Sequence, residues 1–412
     1  LGAMGIRILL AATMGWPATA RIAGGLSRFG CHVDVLCPLE APVRHSRYVN
    51  LRHPYRALSP VTSLRDALSI SQPDLVIPCD DRAVQHMLRL IALEPDTREA
   101  ACLSRSLGAP ENYGALMSRG SFMAQCRELA IAVPETISLD HESDLDAAVE
   151  TLGLPAVLKA DGSWGGDGVV IVRTREEAHA AWRKLSQPVS PLRSLARAVL
   201  RSDAHHIHAM MAKPAQPRLS IQKFISGNPA TTAFACWQGE VVGTIHADVV
   251  ASACATGPAS VVKQIDCAAM EAAARSIARR FNLSGLHGLD FISTPQGEVF
   301  LLEINPRATQ TSYLAFGHGR DPLSGLVEAA SGTRCRARTP STANRLIALF
   351  PQEWSRNPAS PYLKTAFHDI PWDDPDLLRA WLAVTSPAPA RKEAGMHPPQ
   401  RSRVYGLETI AS

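Results

Sequence analysis

The feature that most constrains the fold of this chain is a pair of apolar segments that each carry polar residues at alternating positions. The segments are residues 288–291 and 302–307, and a short polar turn joins them. Because strand side chains alternate between two faces, Asp290, Glu303 and Asn305 share one face of a predicted hairpin. The opposite face is apolar and carries Leu289, Phe291, Leu302 and Ile304. The pattern predicts a hairpin with one buried face and one face of oxygen ligands.

The predicted pairing of the two strands brings these oxygen ligands together. If Pro295 and Gln296 form the tip of the turn, Asp290 opposes Leu301 and lies diagonally across from Glu303. Diagonal neighbours are roughly 7–8 Å apart at Cα, so their carboxylates can reach one ion. Two carboxylates and an amide oxygen are hard ligands that suit a Mg²⁺ ion holding nucleotide phosphates. The alternative for this segment alone is an ordinary hairpin with one solvated face.

Composition excludes several classes of protein. The 412 residues are enough for two or three domains, and 46% apolar with 19% charged residues is typical of a soluble globular protein. A net charge of +4 without a long basic run does not indicate a nucleic-acid partner. The nine cysteines form no C-x-x-C pair, which favours reduced thiols in a cytoplasm. No apolar run approaches the roughly 20 residues that span a bilayer, so no membrane contact is expected.

The N-terminal region alternates strand and helix patterns. Buried strands are predicted at residues 6–11, 32–36 and 74–78, with helices at 18–29 and 82–93. This order predicts a small parallel α/β domain over residues 1–103. Its first turn lacks G-x-G-x-x-G, so a dinucleotide site is not supported, although such sheets do bind ligands at the carboxyl ends of their strands. The apolar start imitates a signal peptide, but Gly15-Trp16-Pro17 interrupts it, and none is expected.

A glycine-rich segment over residues 161–168 carries the second chemical signal. Four glycines in eight residues let the backbone approach a ligand closely and aim N–H groups at phosphate oxygens. Predicted strands at 154–159 and 169–172 flank it, whereas a P-loop or dinucleotide turn leads into a helix. The pattern therefore predicts a hairpin flap, with Lys159 beside it as a point charge for phosphates. A purely structural glycine hairpin is the alternative.

These motifs, in this order, resemble those of the ATP-grasp superfamily. They are Lys159 with its glycine flap, then Gln222-Lys223-Phe224-Ile225-Ser226-Gly227, then Asp290, then Glu303-Ile304-Asn305-Pro306-Arg307. The resemblance covers about residues 104–330, and the preceding α/β unit is similar to the Rossmann-like domain that usually comes before an ATP-grasp domain. It implies a fold in which ATP lies between two α+β subdomains. It also implies that ATP activates a carboxylate as an acyl phosphate, which an amine or another nucleophile then attacks.

The resemblance also implies roles for single residues. Lys159 and Arg119 would contact nucleotide phosphates, and Arg307 would stabilise the transferred phosphoryl group or the acyl phosphate. The flap residues would be Gly162, Ser163, Gly165, Gly166 and Gly168. The adenine strand would be Gln222, Lys223, Phe224 and Ile225. The Mg²⁺ ligands would be Asp290, Glu303 and Asn305. For Arg307 the alternative is a surface cation that follows a strand.

The chain departs from the usual superfamily pattern at three positions. Arg119 stands where many members carry a Lys, which changes the geometry offered to phosphate. The segment Asn228-Pro229-Ala230-Thr231 stands where many members carry a ribose-binding Glu, so ribose recognition stays unassigned. Gly288 stands where peptide-forming members often carry an Arg. The oxyanion donor is therefore expected to be Arg307 or a group from another segment.

Three further segments remain open. His205-His206-Ile207-His208 lies in a predicted insertion over residues 186–218 and indicates a solvated or substrate-facing loop rather than a metal site. Asp80-Asp81 ends a predicted strand, and we expect it to cap the next helix, with contact to a substrate amine as the alternative. Residues 331–412 form a mixed C-terminal region, in which residues 385–404 are rich in Pro, Ala and basic residues and indicate a mobile segment.

The leading expectation is a cytoplasmic ATP- and Mg²⁺-dependent ligase that joins a small-molecule carboxylate to an amine or thiol and releases ADP. A carboxylase-type enzyme that activates bicarbonate is the second hypothesis. A nucleotide-binding regulatory module with degraded catalysis is the third. The resemblance adds the expectation of a homodimer, because many superfamily members pair through the first domain.

Overall fold

The described part of the chain folds around three β-sheets. The computed structural model describes residues 5–160, 168–187, 218–253, 257–336 and 338–385. Its sheets contain four, four and seven strands. None of the helices in these ranges is long and apolar enough to cross a membrane.

The first sheet is parallel and belongs to the N-terminal domain. Its strands are β1 (Arg7–Ala11), β2 (His32–Cys37), β3 (Arg52–Pro54) and β4 (Leu75–Pro78). Helices α1 (Pro17–Ser27), α2 (Pro60–Ser71), α3 (Asp81–Leu93) and α4 (Arg98–Leu107) accompany them. The strand order is β3-β2-β1-β4, so the winding reverses between β1 and β4. Open α/β sheets bind ligands beyond the carboxyl ends of the strands at such a point. The predicted parallel α/β domain is confirmed.

Two short helices, α5 (Tyr113–Met117) and α6 (Arg119–Glu128), lead to the small antiparallel sheet. Its strands are β5 (Thr136–Leu139), β6 (Ala156–Ala160), β7 (Val169–Val172) and β8 (Leu219–Lys223), in the order β5-β8-β6-β7. Helices α7 (Leu145–Leu152) and α8 (Arg175–Ser186) cover one face. Lys159 pairs with Val169 across β6 and β7, so the glycine-rich segment connects two antiparallel strands, as predicted.

The large sheet contains the acidic hairpin. Its strands are β9 (Asn228–Trp237), β10 (Glu240–Ser252), β11 (Ala259–Ile265), β12 (Gly285–Ser293), β13 (Val299–Asn305), β14 (Leu346–Leu349) and β15 (Phe367–Asp369). The order is β13-β12-β9-β10-β11-β14-β15. Strands β14 and β15 come from the C-terminal region, so part of that region is built into this sheet.

Alternation along the central strands explains how the large sheet is covered. Phe234 packs with helix α9 (Ala268–Phe281), and the next residue, Ala235, packs with helix α10 (Pro322–Ser331) on the opposite face. The remaining helices are α11 (Gln352–Arg356), α12 (Tyr362–Thr365) and α13 (Pro375–Thr385). Burying apolar side chains on both faces stabilises the sheet by roughly 25 cal/mol per Å² of apolar surface removed from water.

The first domain packs directly against the large sheet. Buried side chains of β1 and β4 share one core with Leu286 of β12 and Leu323 of α10. The backbone N–H of Ala308, just after β13, donates to the carbonyl of Pro78 at the end of β4 over 3.0 Å. This contact places the carboxyl end of β4 beside the acidic hairpin.

Candidate active site

The acidic hairpin pairs in a register different from the predicted one. The loop has three residues rather than two, because Gly297 adopts a left-handed conformation (φ +87°) and its N–H donates to Thr294 O over 3.0 Å. Three-residue hairpin loops use a residue of this conformation. A β-bulge then shifts the ladder again, so that Phe291 pairs with Leu301 but Asp290 pairs with Glu303. The predicted pairing of Asp290 with Leu301 is wrong, and the two carboxyl-bearing residues are direct partners.

The apolar face of the hairpin changes with the register. Leu301 is fully buried beside Leu289 and Phe291, and Ile304 packs against the same core. Leu302, which was predicted for this face, is the extra residue of the bulge and is only half-buried. Bulges insert one unpaired residue into one strand and re-aim the side chains that follow.

Asp290 and Asn305 lie together on the polar face of the hairpin. The Asn305 Nδ2 donates to Asp290 Oδ2 over 2.9 Å. Burial and the charge of Glu303 raise the pKa of Asp290 to about 6, although Asn305 and Thr231 hydrogen bonds act in the opposite direction. Two adjacent carboxyl groups that disfavour a second negative charge favour a cation nearby. Asp290 and Glu303 therefore fit a divalent metal, with Asn305 beside them.

Glu303 has a cationic partner in this structure. Arg119, at the start of α6, donates from Nη2 to Glu303 Oε2 over 2.9 Å and from Nη1 to Ala160 O over 3.3 Å. Burial raises the pKa of Glu303, but Arg119 and Lys159 outweigh it and hold that pKa below its usual value. Arg119 thus links β6 of the small sheet to β13 of the large sheet.

Lys159 comes from the small sheet and is only 5% exposed. Burial and the nearby Arg119 charge lower the pKa of its ammonium to about 8, although Glu303 and Asp290 act in the opposite direction. Lys159 is therefore within electrostatic reach of the two carboxylates of the hairpin. A cation here can bind a phosphate oxygen as a point charge.

Arg307 is held by three acceptors. Its Nε donates to Asp81 Oδ2 over 3.1 Å, its Nη2 to Asn305 Oδ1 over 3.0 Å, and its Nη1 to Ala308 O over 3.2 Å. Asp81 is the first residue of α3 in the N-terminal domain. The contact between Asp81 and Arg307 was missed by sequence reasoning, because the two residues are 226 positions apart and no local pattern connects them.

Asp80 caps helix α3, as predicted. Its Oδ1 accepts from the Ala83 N–H over 2.9 Å, and its two oxygens also accept from the N–H and hydroxyl of Thr13 after β1, over 2.6 and 3.0 Å. Burial raises the pKa of Asp80, while the hydrogen bonds from Thr13 and Ala83 act against the rise. These bonds join the carboxyl ends of β1 and β4 and fix the position of Asp81.

The predicted adenine segment connects the small antiparallel sheet to the large sheet. Gln222 is buried and its Nε2 donates to Thr136 Oγ1 over 3.0 Å, whereas the Lys223 side chain is exposed. Phe224 and Ile225 follow the end of β8, are half-buried, and lead toward β9. Their roles in nucleotide binding stay predictions.

The described part of the flap is its base. Gly168 is buried, and its carbonyl accepts from the Ala160 N–H over 2.9 Å. Gly162, Ser163, Gly165 and Gly166 lie outside the described residues, as does the histidine cluster at residues 205–208.

Thr231 is a site residue to which sequence reasoning gave no role. It pairs with Asp290 across β9 and β12, and its hydroxyl hydrogen-bonds to Leu289 O over 3.3 Å. In the described ranges no group of three or more His, Cys, Asp and Glu side chains could hold a metal. A metal at Asp290 and Glu303 would therefore need ligands other than these four types of side chain, such as the Asn305 amide oxygen.

Comparison with known proteins identifies the fold. Residues 122–311 match the family model of the ATP-grasp domain. The resemblance predicted from the motifs is confirmed, since Lys159, Asp290, Glu303, Asn305 and Arg307 all lie inside this match. No curated protein sequence matches the chain.

Solved structures agree with this assignment. One is N5-carboxyaminoimidazole synthase from Aspergillus clavatus, in complex with ADP and 5-aminoimidazole ribonucleotide, with a TM-score of 0.58, 14% identity, and coverage of 81% of this chain and 78% of that one. Another is the biotin carboxylase domain of the Hydrogenobacter thermophilus 2-oxoglutarate carboxylase, with MgADP and bicarbonate. Its TM-score is 0.58 and its identity 13%, with coverage of 82% of this chain and 72% of that one. A third is the Staphylococcus aureus N5-carboxyaminoimidazole synthetase with ADP. Its TM-score is 0.55 and its identity 14%, with coverage of 81% of this chain and 79% of that one. At these identities the likeness shows a shared fold.

Proposed function

We propose that this chain, whose residues 122–311 match the ATP-grasp domain, is an ATP- and Mg²⁺-dependent ligase that forms ADP. It would activate a carboxylate as an acyl phosphate for attack by an amine or a thiol. The observation that carries the proposal is the convergence of Asp290 and Glu303 with three cations from different parts of the fold. The cations are Lys159, Arg119 and Arg307. Acids for a metal and cations for phosphates at one place are what phosphoryl transfer requires.

The metal ligands would be Asp290, Glu303 and Asn305. Their oxygens are the hard donors that Mg²⁺ prefers, and the raised pKa of Asp290 supports a need for a counter-cation. When bound, Mg²⁺ would neutralise negative charge on the nucleotide phosphates. Asn305 has a second task, because its Oδ1 accepts from Arg307 while its Nδ2 donates to Asp290.

The nucleotide phosphates would be bound by Lys159 and Arg119. Arg119 pairs with Glu303 in this structure, so we expect it to exchange that carboxylate for a phosphate oxygen when the site is loaded. Lys159 is buried and within electrostatic reach of Asp290 and Glu303, and we expect it to bind a phosphate oxygen there. The flap over residues 161–168 would then exclude water from the acyl phosphate.

Arg307 would stabilise the transferred phosphoryl group and the acyl phosphate. A guanidinium held by Asp81, Asn305 and Ala308 is preorganised, which makes it effective where negative charge develops. Because Arg307 lies where β13 meets the carboxyl ends of β1 and β4, the acid substrate would enter from the crevice of the first domain.

A bicarbonate-activating carboxylase is the second candidate. It is favoured by two of the similar structures, of which one contains bicarbonate and the other 5-aminoimidazole ribonucleotide. ADP release that depends on bicarbonate and needs no organic acid would select this alternative. A nucleotide-binding module without turnover is motivated by Arg119 and by the missing ribose-binding Glu.

The proposal is tested by nucleotide analysis after incubation with ATP, Mg²⁺ and a pool of amino acids. We expect substrate-dependent ADP and phosphate, and a loss of roughly 100-fold or more in Glu303→Gln, because one metal ligand is removed. Glu298→Gln is the matched control, since Glu298 is exposed in the hairpin loop and should keep full activity. Formation of AMP and pyrophosphate, or equal activity in both variants, would contradict the proposal.

A further inference from the structure

We infer that Asp81 of the first domain is a positioning residue that sets the direction of the Arg307 guanidinium. The inference rests on the proposed function, in which Arg307 faces the γ-phosphate or the acyl phosphate. The first domain would then contribute to phosphoryl transfer through one ion pair, between Asp81 and Arg307.

The hydrogen bonds of Arg307 define the orientation of its plane. The inner nitrogen, Nε, donates to the Asp81 carboxylate, and each terminal nitrogen donates to one further acceptor. A guanidinium has five N–H groups in a rigid fork, and each terminal nitrogen carries two of them. The contacts described use one N–H on each terminal nitrogen, which leaves a second on each for the oxygens of a phosphoryl group.

Asp81 differs from the other two acceptors in charge and in origin. Asn305 and Ala308 lie within two positions of Arg307 in the chain, so they move with the arginine and relate it only to its own strand. Asp81 comes from a different domain, 226 positions away, and it is the charged acceptor of the three. Its contact therefore relates the arginine to the crevice at the carboxyl ends of β1 and β4.

Asp81 is itself firmly placed. It is the first residue of α3, directly after Asp80, whose carboxylate binds Ala83 and Thr13. The next anchor is the bond from Ala308 N–H to Pro78 O, which holds the loop after β13 against β4. These separate contacts thus hold the Asp81 carboxylate beside the Arg307 guanidinium.

The ion pair between Arg307 and Asp81 is partly shielded from solvent, so it can restrain the orientation of the guanidinium. The side chains of Arg307 and Asp81 are 21% and 17% exposed, so solvent screens their attraction only in part. An arginine side chain has several rotatable bonds, and a charge-assisted bond at Nε restricts those nearest the guanidinium. Without Asp81 the guanidinium would sample more directions, and the bond to a γ-phosphate oxygen would be formed less often.

The test compares affinities for Mg²⁺ complexes of ADP and of a non-hydrolysable ATP analogue, measured by isothermal titration calorimetry. The ratio of the two dissociation constants reports the γ-phosphate contact without any turnover. We expect Arg307→Ala to remove most of the preference for the analogue. Asp81→Asn should lower the ratio by about 5- to 10-fold and leave the ADP affinity within about 2-fold, since one charge-assisted contact at a partly buried site is lost.

Two further variants separate orientation from a structural effect. The double variant of Asp81→Asn and Arg307→Ala should match Arg307→Ala alone, because Asp81 acts only through the arginine. Asp81→Glu keeps the charge and should recover at least half of the lost preference. Asp96→Asn, an exposed acid beyond the far end of α3, is the control and should keep the wild-type ratio. If Asp81→Asn does not fold, Asp81→Ser carries the same comparison, since Ser also suits a helix start.

The outcomes distinguish this inference from the proposed function. If Arg307→Ala loses the preference but the folded Asp81 variants keep the wild-type ratio, the positioning role is wrong and the proposed function stands. If the Asp81 and Arg307 effects simply add, Asp81 acts elsewhere and the inference is also wrong. If the wild-type protein shows no Mg²⁺-dependent nucleotide binding, both fail together.

Discussion

At the scale of single residues, the candidate site brings several charged side chains close together. Lys159, Arg119 and Arg307 lie near Asp290 and Glu303, and Asp81 of the first domain contacts Arg307. Two of these cations already have acidic partners, since Arg119 binds Glu303 and Arg307 binds Asp81. We therefore expect binding of nucleotide and metal to replace existing ion pairs with contacts to phosphate and metal.

Lys159 provides a pH-dependent signature of phosphate binding. Its pKa of about 8 means that it is mostly neutral at pH 8.5 in the free protein, and phosphate oxygens will raise that pKa. We expect ATP binding to take up about 0.7 proton at pH 8.5 and none from this group at pH 6.5, where it is already charged. Calorimetry in buffers of different ionisation enthalpy measures the uptake.

The control for this prediction is a lysine outside the site. Lys159→Met should lose the uptake at pH 8.5, whereas Lys184→Met, on the exposed face of α8, should keep it. Equal uptake in wild-type protein and Lys159→Met would show that another group titrates.

The acidic hairpin is the decisive structural element. Its three-residue loop moves the pairing by one residue from the expected register, and the bulge at Leu302 moves it by one more. Two single shifts restore the alternation of faces, so Glu303 still shares a face with Asp290 although the pairing differs. One shift alone would have turned Glu303 toward the apolar core.

The hairpin loop gives a stability prediction at this scale. Gly297 has φ +87° and open space where a Cβ would lie, so Gly297→Ala introduces backbone strain without a clash. We expect the free energy of unfolding to fall by about 1 kcal/mol. Chemical denaturation measures it.

Gly114 is the matched control for the same substitution. It lies in helix α5, is exposed, and also has open space around the missing Cβ. Gly114→Ala should raise the free energy of unfolding by up to about 1 kcal/mol, because Ala favours helix. A stabilising effect at both positions would mean that the loop does not require the left-handed conformation.

At the scale of the whole molecule, the C-terminal region ties the first domain to the large sheet. Asp369, the last residue of β15, accepts hydrogen bonds from Arg21 of α1 and from the Tyr313 hydroxyl. Asp373 and Asp374 bind further residues of the first domain, among them Tyr48 and Ser46. The sheet order and these contacts make the region after residue 331 part of the framework that holds the site.

Removing the Asp369 carboxylate should test this framework. Asp369 is 3% exposed, and the Arg21 side chain is 20% exposed, so Asp369→Ala leaves a largely buried guanidinium without its partner. We expect a loss of about 3 kcal/mol in the free energy of unfolding. Asp376→Ala breaks an exposed pair with Arg379 and should cost less than about 1 kcal/mol. Similar losses in both variants would contradict a special role for β15.

Much of the site could be predicted because its signals are local. Alternation within β12 and β13 placed Asp290, Glu303 and Asn305 on one face, and strands on both sides of the glycine segment indicated a hairpin. The pairing register could not be predicted, because it depends on a loop conformation and a bulge that cannot be read from alternation. The contact of Thr231 with the Asp290 strand was missed because β9 and β12 are distant in the sequence and alternation does not show which strands pair.

Local sequence patterns were enough to identify the residue types of the site and the face that they share. Which charges meet depends on packing between distant segments. Arg119 reaches Glu303 across 184 positions, Arg307 reaches Asp81 across 226, and β14 and β15 join a sheet begun more than a hundred residues earlier. These contacts cannot be read from the sequence because periodicity indicates only on which side of its own helix or strand a residue lies. The partner on that side is set by how three sheets and their helices pack to bury their apolar faces.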